Sequence, residues 1–185
     1  MGKREKINGM LFTAAVITFN FLYMGKAVIL LNIGIIISLL VWLNYKKEYN
    51  RKLIAFYIIG IVFHITHVLE EYKGEFYKIL PSFFNATPWT ANQFLIFNFI
   101  WLVIFVLAAI GAFNKFKLSY LVVWIFIIVG SIGNGIFHLG SSLMLGEYFP
   151  GSISAFFLFI AGILMVQNLT SSSIKINKLN KIRII

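Results

Sequence analysis

The sequence lacks cysteine and aspartate, and charged residues of any kind are scarce. Without cysteine it can form no disulfide and no thiolate metal site, and it has no cysteine nucleophile. Only 12% of the 185 residues are charged, whereas soluble domains average about 25%. An ordinary water-soluble globular protein is therefore excluded, and a hydrophobic fraction of 60% excludes intrinsic disorder as well.

The carboxylates and imidazoles form a short inventory. All six acidic residues are glutamates, and there are three histidines. In chain order they are Glu5, Glu48, His64, His67, Glu70, Glu71, Glu75, His138 and Glu147. Any acid–base or metal chemistry that needs a carboxylate or an imidazole must use members of this set.

Long apolar runs fill most of the remaining chain and predict an all-α, polytopic transmembrane helical bundle. A bilayer core takes roughly 17–25 apolar residues per helix, and six runs fit or nearly fit. They are Asn8–Tyr23, Ala27–Leu43, Leu53–Leu69, Gln93–Phe113, Leu118–Leu139 and Ser152–Leu169. One helix over residues 8–43 would be about 54 Å long, too long for one crossing, so we expect a hairpin that turns at Met24–Lys26. We also expect the first span to be retained, not cleaved as a signal peptide.

Lysine and arginine are distributed unequally between the two ends of these spans. With the N-terminus inside, three of the 16 basic residues lie in outer segments and the other 13 in inner segments. The positive-inside rule then predicts six spans with both termini cytoplasmic, as in a bacterial cytoplasmic membrane. The net charge of +10 is thereby explained by the lipid bilayer as partner, and no nucleic acid is expected. Residues 1–170 form one predicted membrane domain, and 171–185 a basic cytoplasmic tail.

Polar side chains recur at the outer ends of the spans. Residues three or four apart share one face of a helix, so each span end presents its polar residues together. The set comprises His67, Glu70 and Glu71 at the end of the third span, Asn134 and His138 at the end of the fifth, and Tyr148 in the following loop. A short interfacial helix is expected between the third and fourth spans, within residues 70–92.

The depth of the two histidine-bearing span ends does not match perfectly. Counted from Lys52 and Lys117, His138 would lie about 9 Å beyond His67 at 1.5 Å per residue. Helix tilt can absorb such an offset. His64, one turn deeper than His67, is better explained as a hydrogen-bonded helix-packing residue than as a ligand.

The polar set can bind a divalent metal such as zinc. Catalytic zinc sites often use two histidines and a glutamate and keep one position open. The predicted ligands are His67, Glu71 and His138, and the predicted catalytic residues are Glu70 as general base with Asn134 and Tyr148 as orienting or oxyanion-stabilising groups. The two glutamates could exchange roles, and a metal-free acid–base pair of His67 and Glu70 is an alternative.

In order along the chain, these motifs resemble those of the HXXEE domain family of bacterial integral membrane proteins. That family is characterised by H-x-x-E-E, N-x-x-x-H and Y-x-P-G motifs. The matching stretches here are His67–Glu71, Asn134–His138 and Tyr148–Gly151, within about residues 55–170. The resemblance implies a membrane-embedded enzyme and suggests metal dependence.

We therefore expect a metal-dependent hydrolase that acts on a small apolar, lipid-like or peptide substrate at the outer membrane face. The alternatives are a proton- or cation-coupled transporter and a non-catalytic membrane subunit. A transporter needs polar groups that continue to the inner face. Residues 53–63 and 118–129, the inner halves of the third and fifth spans, are almost wholly apolar.

Overall fold

A computed structural model of the chain describes residues 2–45 and 51–182, with side chains described as far as Leu169. Within these ranges the chain forms helices and no strand. The α-helices are α1 Lys3–Met24, α2 Ile29–Asn44, α3 Arg51–Lys73, α4 Phe76–Ser82, α5 Ala91–Phe113, α6 Lys117–Ile125, α7 Asn134–Leu145 and α8 Ser152–Ile182. A 3₁₀ turn, Gly25–Val28, joins α1 to α2, and a π-helical segment, Phe126–Gly133, joins α6 to α7. The predicted all-α helical bundle is confirmed.

Within residues 2–45 and 51–182, five helical segments are long and apolar enough to cross a bilayer. The first of them, Lys3–Asn44, folds back on itself at the 3₁₀ turn. Gly25 allows the turn because its φ of 69° lies in the left-handed region that favours glycine. Close to the turn, Asn20 Nδ2 donates to Asn32 Oδ1 at 2.8 Å. Near the far end, a Cβ placed on Gly9 would lie 2.3 Å from the Trp42 ring. The two arms are thus antiparallel neighbours, as the hairpin prediction required.

Helix α3 packs against α8 and α5. Its inner half is anchored by Tyr57, which is fully buried and whose hydroxyl donates to the Phe105 carbonyl at 3.1 Å. The Tyr57 ring also meets Phe126 edge-on, with centroids 5.0 Å apart. Large apolar side chains such as Leu107 and Phe99 point outward, which suits a surface in contact with lipid rather than water.

The fifth predicted span is longer and less regular than the sequence indicates. The helix runs from Lys117 to Leu145, six residues beyond the predicted end at Leu139. Gly146 ends it with a φ of 70°, and its N–H donates to the Ser142 carbonyl at 3.0 Å. The π-helical segment within this span has wider turns than an α-helix, and such segments are frequent at functional sites.

The ends of α3 and α8 and the short helix α4 differ in extent from the predicted segments. Helix α3 continues to Lys73, beyond the predicted end at Leu69, so Glu70 and Glu71 belong to the helix itself. The short helix α4 follows, inside the region where an interfacial helix was expected. At the other end, α8 continues to Ile182; the end of the predicted basic tail, residues 183–185, lies outside the described residues.

Candidate metal centre

Three side chains converge at the end of the bundle that holds α4. His67 and Glu71 come from consecutive turns of α3, and His138 comes from α7. Glu71 Oε1 lies 3.4 Å from His67 Nε2 and 3.2 Å from His138 Nε2. The imidazole centroids are 4.7 Å apart, and all three residues are buried. Their ligand atoms lie within 4.8 Å of one another, so this group could hold a metal ion.

The second nitrogen of each imidazole fixes its protonation pattern. His67 Nδ1 lies 3.2 Å from the Gly151 carbonyl, and His138 Nδ1 lies 2.7 Å from the Pro150 carbonyl. Because a carbonyl oxygen only accepts, both Nδ1 atoms carry the proton and donate. In the neutral rings both Nε2 atoms therefore present lone pairs towards the Glu71 carboxylate.

Three acceptors that face one another in a buried site need a positive charge between them. His67 Nε2 has no hydrogen-bond partner within the described part of the chain, which leaves its lone pair available. A metal ion or an added proton can supply the charge. Hydrogen bonds from the outer ring nitrogen to a backbone carbonyl are the usual support of metal-bound histidines. The two histidines and one glutamate could therefore hold a metal ion.

The loop between α7 and α8 holds both imidazoles in place. Gly151 has a φ of 94°, and a Cβ there would lie 2.8 Å from His138 Cε1 and 2.9 Å from His67 Cε1. Pro150 packs on Gly74, where an added Cβ would fall 2.5 Å from the proline Cβ. The turn at Pro150 and Gly151, the end of the Y-x-P-G motif, therefore contacts the two predicted histidine ligands directly.

Glu70 faces the start of α8 and not the interior of the cluster. Its Oε1 accepts from the Tyr148 hydroxyl at 2.7 Å and from the Ile153 amide at 3.1 Å. Its Oε2 accepts from the Ser154 amide at 2.8 Å and from the Ser154 hydroxyl. A carboxylate satisfies the free amides of a helix N-terminus and interacts favourably with its dipole. Of the two glutamates, Glu71 is thus the one that lies between the imidazoles.

Tyr148 and Asn134 occupy different sides of the cluster. Burial and the hydrogen bond to Glu70 raise the pKa of the Tyr148 hydroxyl above its usual range, so it stays a donor at neutral pH. Asn134 lies one turn below His138, and its Nδ2 donates to the Gly130 carbonyl at 3.4 Å. It borders a cavity beside the cluster. The catalytic contributions assigned to Glu70, Asn134 and Tyr148 stay predictions.

Ser154 is a site residue that the sequence analysis missed. Its hydroxyl lies 3.0 Å from His67 Nδ1 and donates to Glu70, so it links the two predicted functional residues. Ser152 has a similar place below His138, with its hydroxyl donating to the His138 carbonyl at 3.0 Å. Serines at the start of a helix are usually caps. Their presence in the sequence therefore did not indicate a contact with the two histidines.

A cavity of about 400 Å³ extends from the cluster into the bundle. Glu71 and His138 border it at one end, and His64 lies in its wall. The His64 ring is packed edge-on against Phe105 and Phe126, with centroids 5.6 and 5.9 Å away. His64 is thus packed as expected, but among the described residues its buried Nδ1 atom has no hydrogen-bond partner, so the expected hydrogen bond is not present.

Fold and site together define the class as a multi-pass α-helical membrane protein with a buried two-histidine, one-glutamate cluster at one end. No protein-family model, curated protein or solved structure matches the chain. The resemblance to the HXXEE domain family stays a prediction from the three motifs.

Proposed function

We propose that the protein is a metal-dependent membrane hydrolase, a member of the HXXEE-like group, that acts on a lipid-like or peptide substrate. The observation that carries this proposal is the convergence of His67 Nε2, His138 Nε2 and Glu71 Oε1 within 4.8 Å. Two histidines and one glutamate, with a fourth position open, is the ligand set of many catalytic zinc sites. We place the site at the outer face of a bacterial cytoplasmic membrane, on the distribution of lysine and arginine.

The chemistry would consume one water per bond cleaved. A bound divalent ion lowers the pKa of a coordinated water towards about 7 and polarises a carbonyl. In the net reaction the hydroxyl of the water is added to the carbonyl carbon and its proton goes to the leaving oxygen or nitrogen. His67, Glu71 and His138 would hold the ion, and Asn134, on the cavity wall, would orient the substrate.

Glu70 remains our candidate base, but its hydrogen bonds favour a positioning contribution. Four donors already occupy its carboxylate, and they dock the start of α8 under the two imidazoles. Proton transfer through Glu70 would require one of these bonds to open. Glu70→Gln separates the two contributions, because loss of a base changes the pH profile of turnover, whereas loss of positioning lowers metal affinity.

The transporter alternative has less support. Below His64 the next polar group on α3 that faces α5 is Tyr57, and its hydroxyl is already bonded to the Phe105 carbonyl. Among the described residues of α3, the polar groups of the cluster therefore lie near one end of the helix and do not continue towards the other. A one-sided site suits an enzyme better than a path across the membrane.

Metal analysis of the purified, detergent-solubilised protein tests the proposal. We expect bound zinc or another divalent ion in the wild type, and loss of at least tenfold in affinity for His67→Ala, His138→Ala and Glu71→Gln. His64→Ala and Glu147→Gln are matched controls, because they remove a histidine and a glutamate outside the cluster and should retain metal. A folded, monodisperse wild type that takes up no divalent ion would overturn the proposal.

A further inference from the structure

The cavity beside the cluster has the size and wall chemistry of a binding site for an apolar molecule. Its volume of about 400 Å³ falls within the range of small-molecule sites, roughly 300–1,000 Å³. Phe94, Phe97 and Trp101 of α5 form one wall, and Leu31 and Gly34 of α2 form another. The wall is mostly apolar, and the polar side chains that line it are those of His64, Glu71, Asn98, Asn134 and His138.

The cluster is closed on the side of the loops. Phe76 of α4 and Phe149 of the last loop cover His138, with ring centroids 5.0 and 5.6 Å away. Both imidazoles turn their Nδ1 atoms towards the carbonyls of Pro150 and Gly151. Their Nε2 atoms therefore point away from this loop, and Glu71 and His138 border the cavity from above. A substrate that reaches the predicted ligands has to come from the cavity side.

The cavity reaches the lipid-facing surface between α2 and α7. Leu30 of α2 and Ile136 of α7 both line it, and 52% and 63% of their surfaces are exposed. Helix α2 packs along α6 and the π-helical segment, while α7 packs mainly on α8 and that same segment. The upper parts of α2 and α7 are therefore only loosely joined, and an opening lies between them.

We infer that the substrate is a single-chain amphiphile that enters from the bilayer between α2 and α7. Its hydrocarbon chain occupies the cavity, and its polar group lies against Glu71 and His138, the two cluster residues that border the cavity. A peptide is disfavoured because every residue would bring an N–H and a C=O that need partners in an apolar wall. This inference rests on the proposed function, since it assigns the substrate class of the same site.

Photo-labelling tests the inference without relying on turnover. The probe is hexadecanoic acid with a mid-chain diazirine, incorporated with the purified protein into phosphatidylglycerol nanodiscs. After irradiation, peptide mapping locates the label. We expect labels on cavity residues such as Phe97 and Trp101, and competition by unlabelled hexadecanoic acid.

A pair of matched variants shows whether the opening is used. Ile136→Trp adds bulk at the opening, whereas Ile110→Trp adds the same bulk at a lipid-facing position with 57% exposure that does not line the cavity. We expect Ile136→Trp to lower cavity labelling several-fold and Ile110→Trp to leave it unchanged. Equal labelling of the two variants would overturn entry between α2 and α7.

Metal content measured on the same samples separates the two proposals. A metal-loaded protein whose label falls only on outer lipid-facing residues would overturn the substrate class and leave the metal-dependent function standing. A protein with labelled cavity residues and no capacity for divalent ions would overturn the metal-dependent function and support the apolar pocket. Labelled cavity residues and metal uptake in the same sample, with no control variant that loses both, support both proposals.

Discussion

Replacing Gly151 by alanine should disturb the metal centre without replacing any proposed ligand. Gly151 has a φ of 94°, where a side chain is strained. An added Cβ would also lie 2.8 Å from His138 Nδ1 and 2.9 Å from His67 Cε1. Both imidazoles would have to shift, or the loop would have to withdraw from them.

The expected cost has two separable parts. A non-glycine residue in the left-handed region costs about 1–2 kcal/mol, and overpacking of a well-packed site costs about 1–3 kcal/mol. Gly146→Ala is the matched control, because Gly146 has a φ of 70° and no atom within 4 Å of an added Cβ. It should show the strain alone. The difference between the two variants isolates the contact with the imidazoles.

Metal affinity gives the more specific measurement. Displacement of the groups that support metal-bound histidines typically costs 10–100-fold in affinity, so we expect Gly151→Ala to weaken zinc binding by that order. Gly146→Ala should bind zinc as the wild type does. Zinc titration against a chromophoric chelator, alongside thermal unfolding in detergent, measures both quantities. Wild-type zinc affinity in a folded Gly151→Ala would refute the idea that this turn holds the two rings.

Three further predictions concern the surroundings of the cluster. Ser154→Ala removes the hydroxyl that bridges His67 and Glu70. We expect a loss of about 1–3 kcal/mol in unfolding free energy and weaker zinc binding. An unchanged zinc affinity would argue against the bridge. The Tyr148 hydroxyl has a raised pKa, so its stabilising hydrogen bond to Glu70 is present at neutral pH. The bond is lost as the pH rises through the folded-state pKa. The difference between the ultraviolet titrations of the wild type and Tyr148→Phe should show phenolate only above about pH 10. Zinc at 100 times its dissociation constant should stabilise the wild type by about 2.7 kcal/mol, whereas Glu71→Gln should show little shift in melting temperature, and an equal shift would place the binding elsewhere.

The sequence predicted the general architecture because that architecture follows from local properties. The apolar runs of membrane-spanning length show directly which segments leave water. The interruption around Gly25 shows where the first two of them turn. The shared face of His67 and Glu71 follows from helical spacing alone. Span ends were less accurate, since α3 and α7 continue past Leu69 and Leu139 where caps, and not hydropathy, end the helix.

The relative depth of two helices could not be derived in this way. Residue counting placed His138 about 9 Å beyond His67, yet their ring centroids are 4.7 Å apart. The π-helical segment Phe126–Gly133 rises less per residue than an α-helix, which shortens the path to His138. The apolar residue types of that segment do not distinguish a π-helix from an α-helix.

The sequence by itself determined a membrane protein with few chemical groups, and it determined which of those groups share a helix face. Only the tertiary structure decided that Glu71 lies between the imidazoles while Glu70 binds the start of α8. The two glutamates are adjacent in the chain, so spacing cannot separate them. Their environments differ because α8 packs directly on α3 and takes up Glu70, whereas α7 packs on α8 and brings His138 to Glu71. That packing depends on side chains distant in sequence.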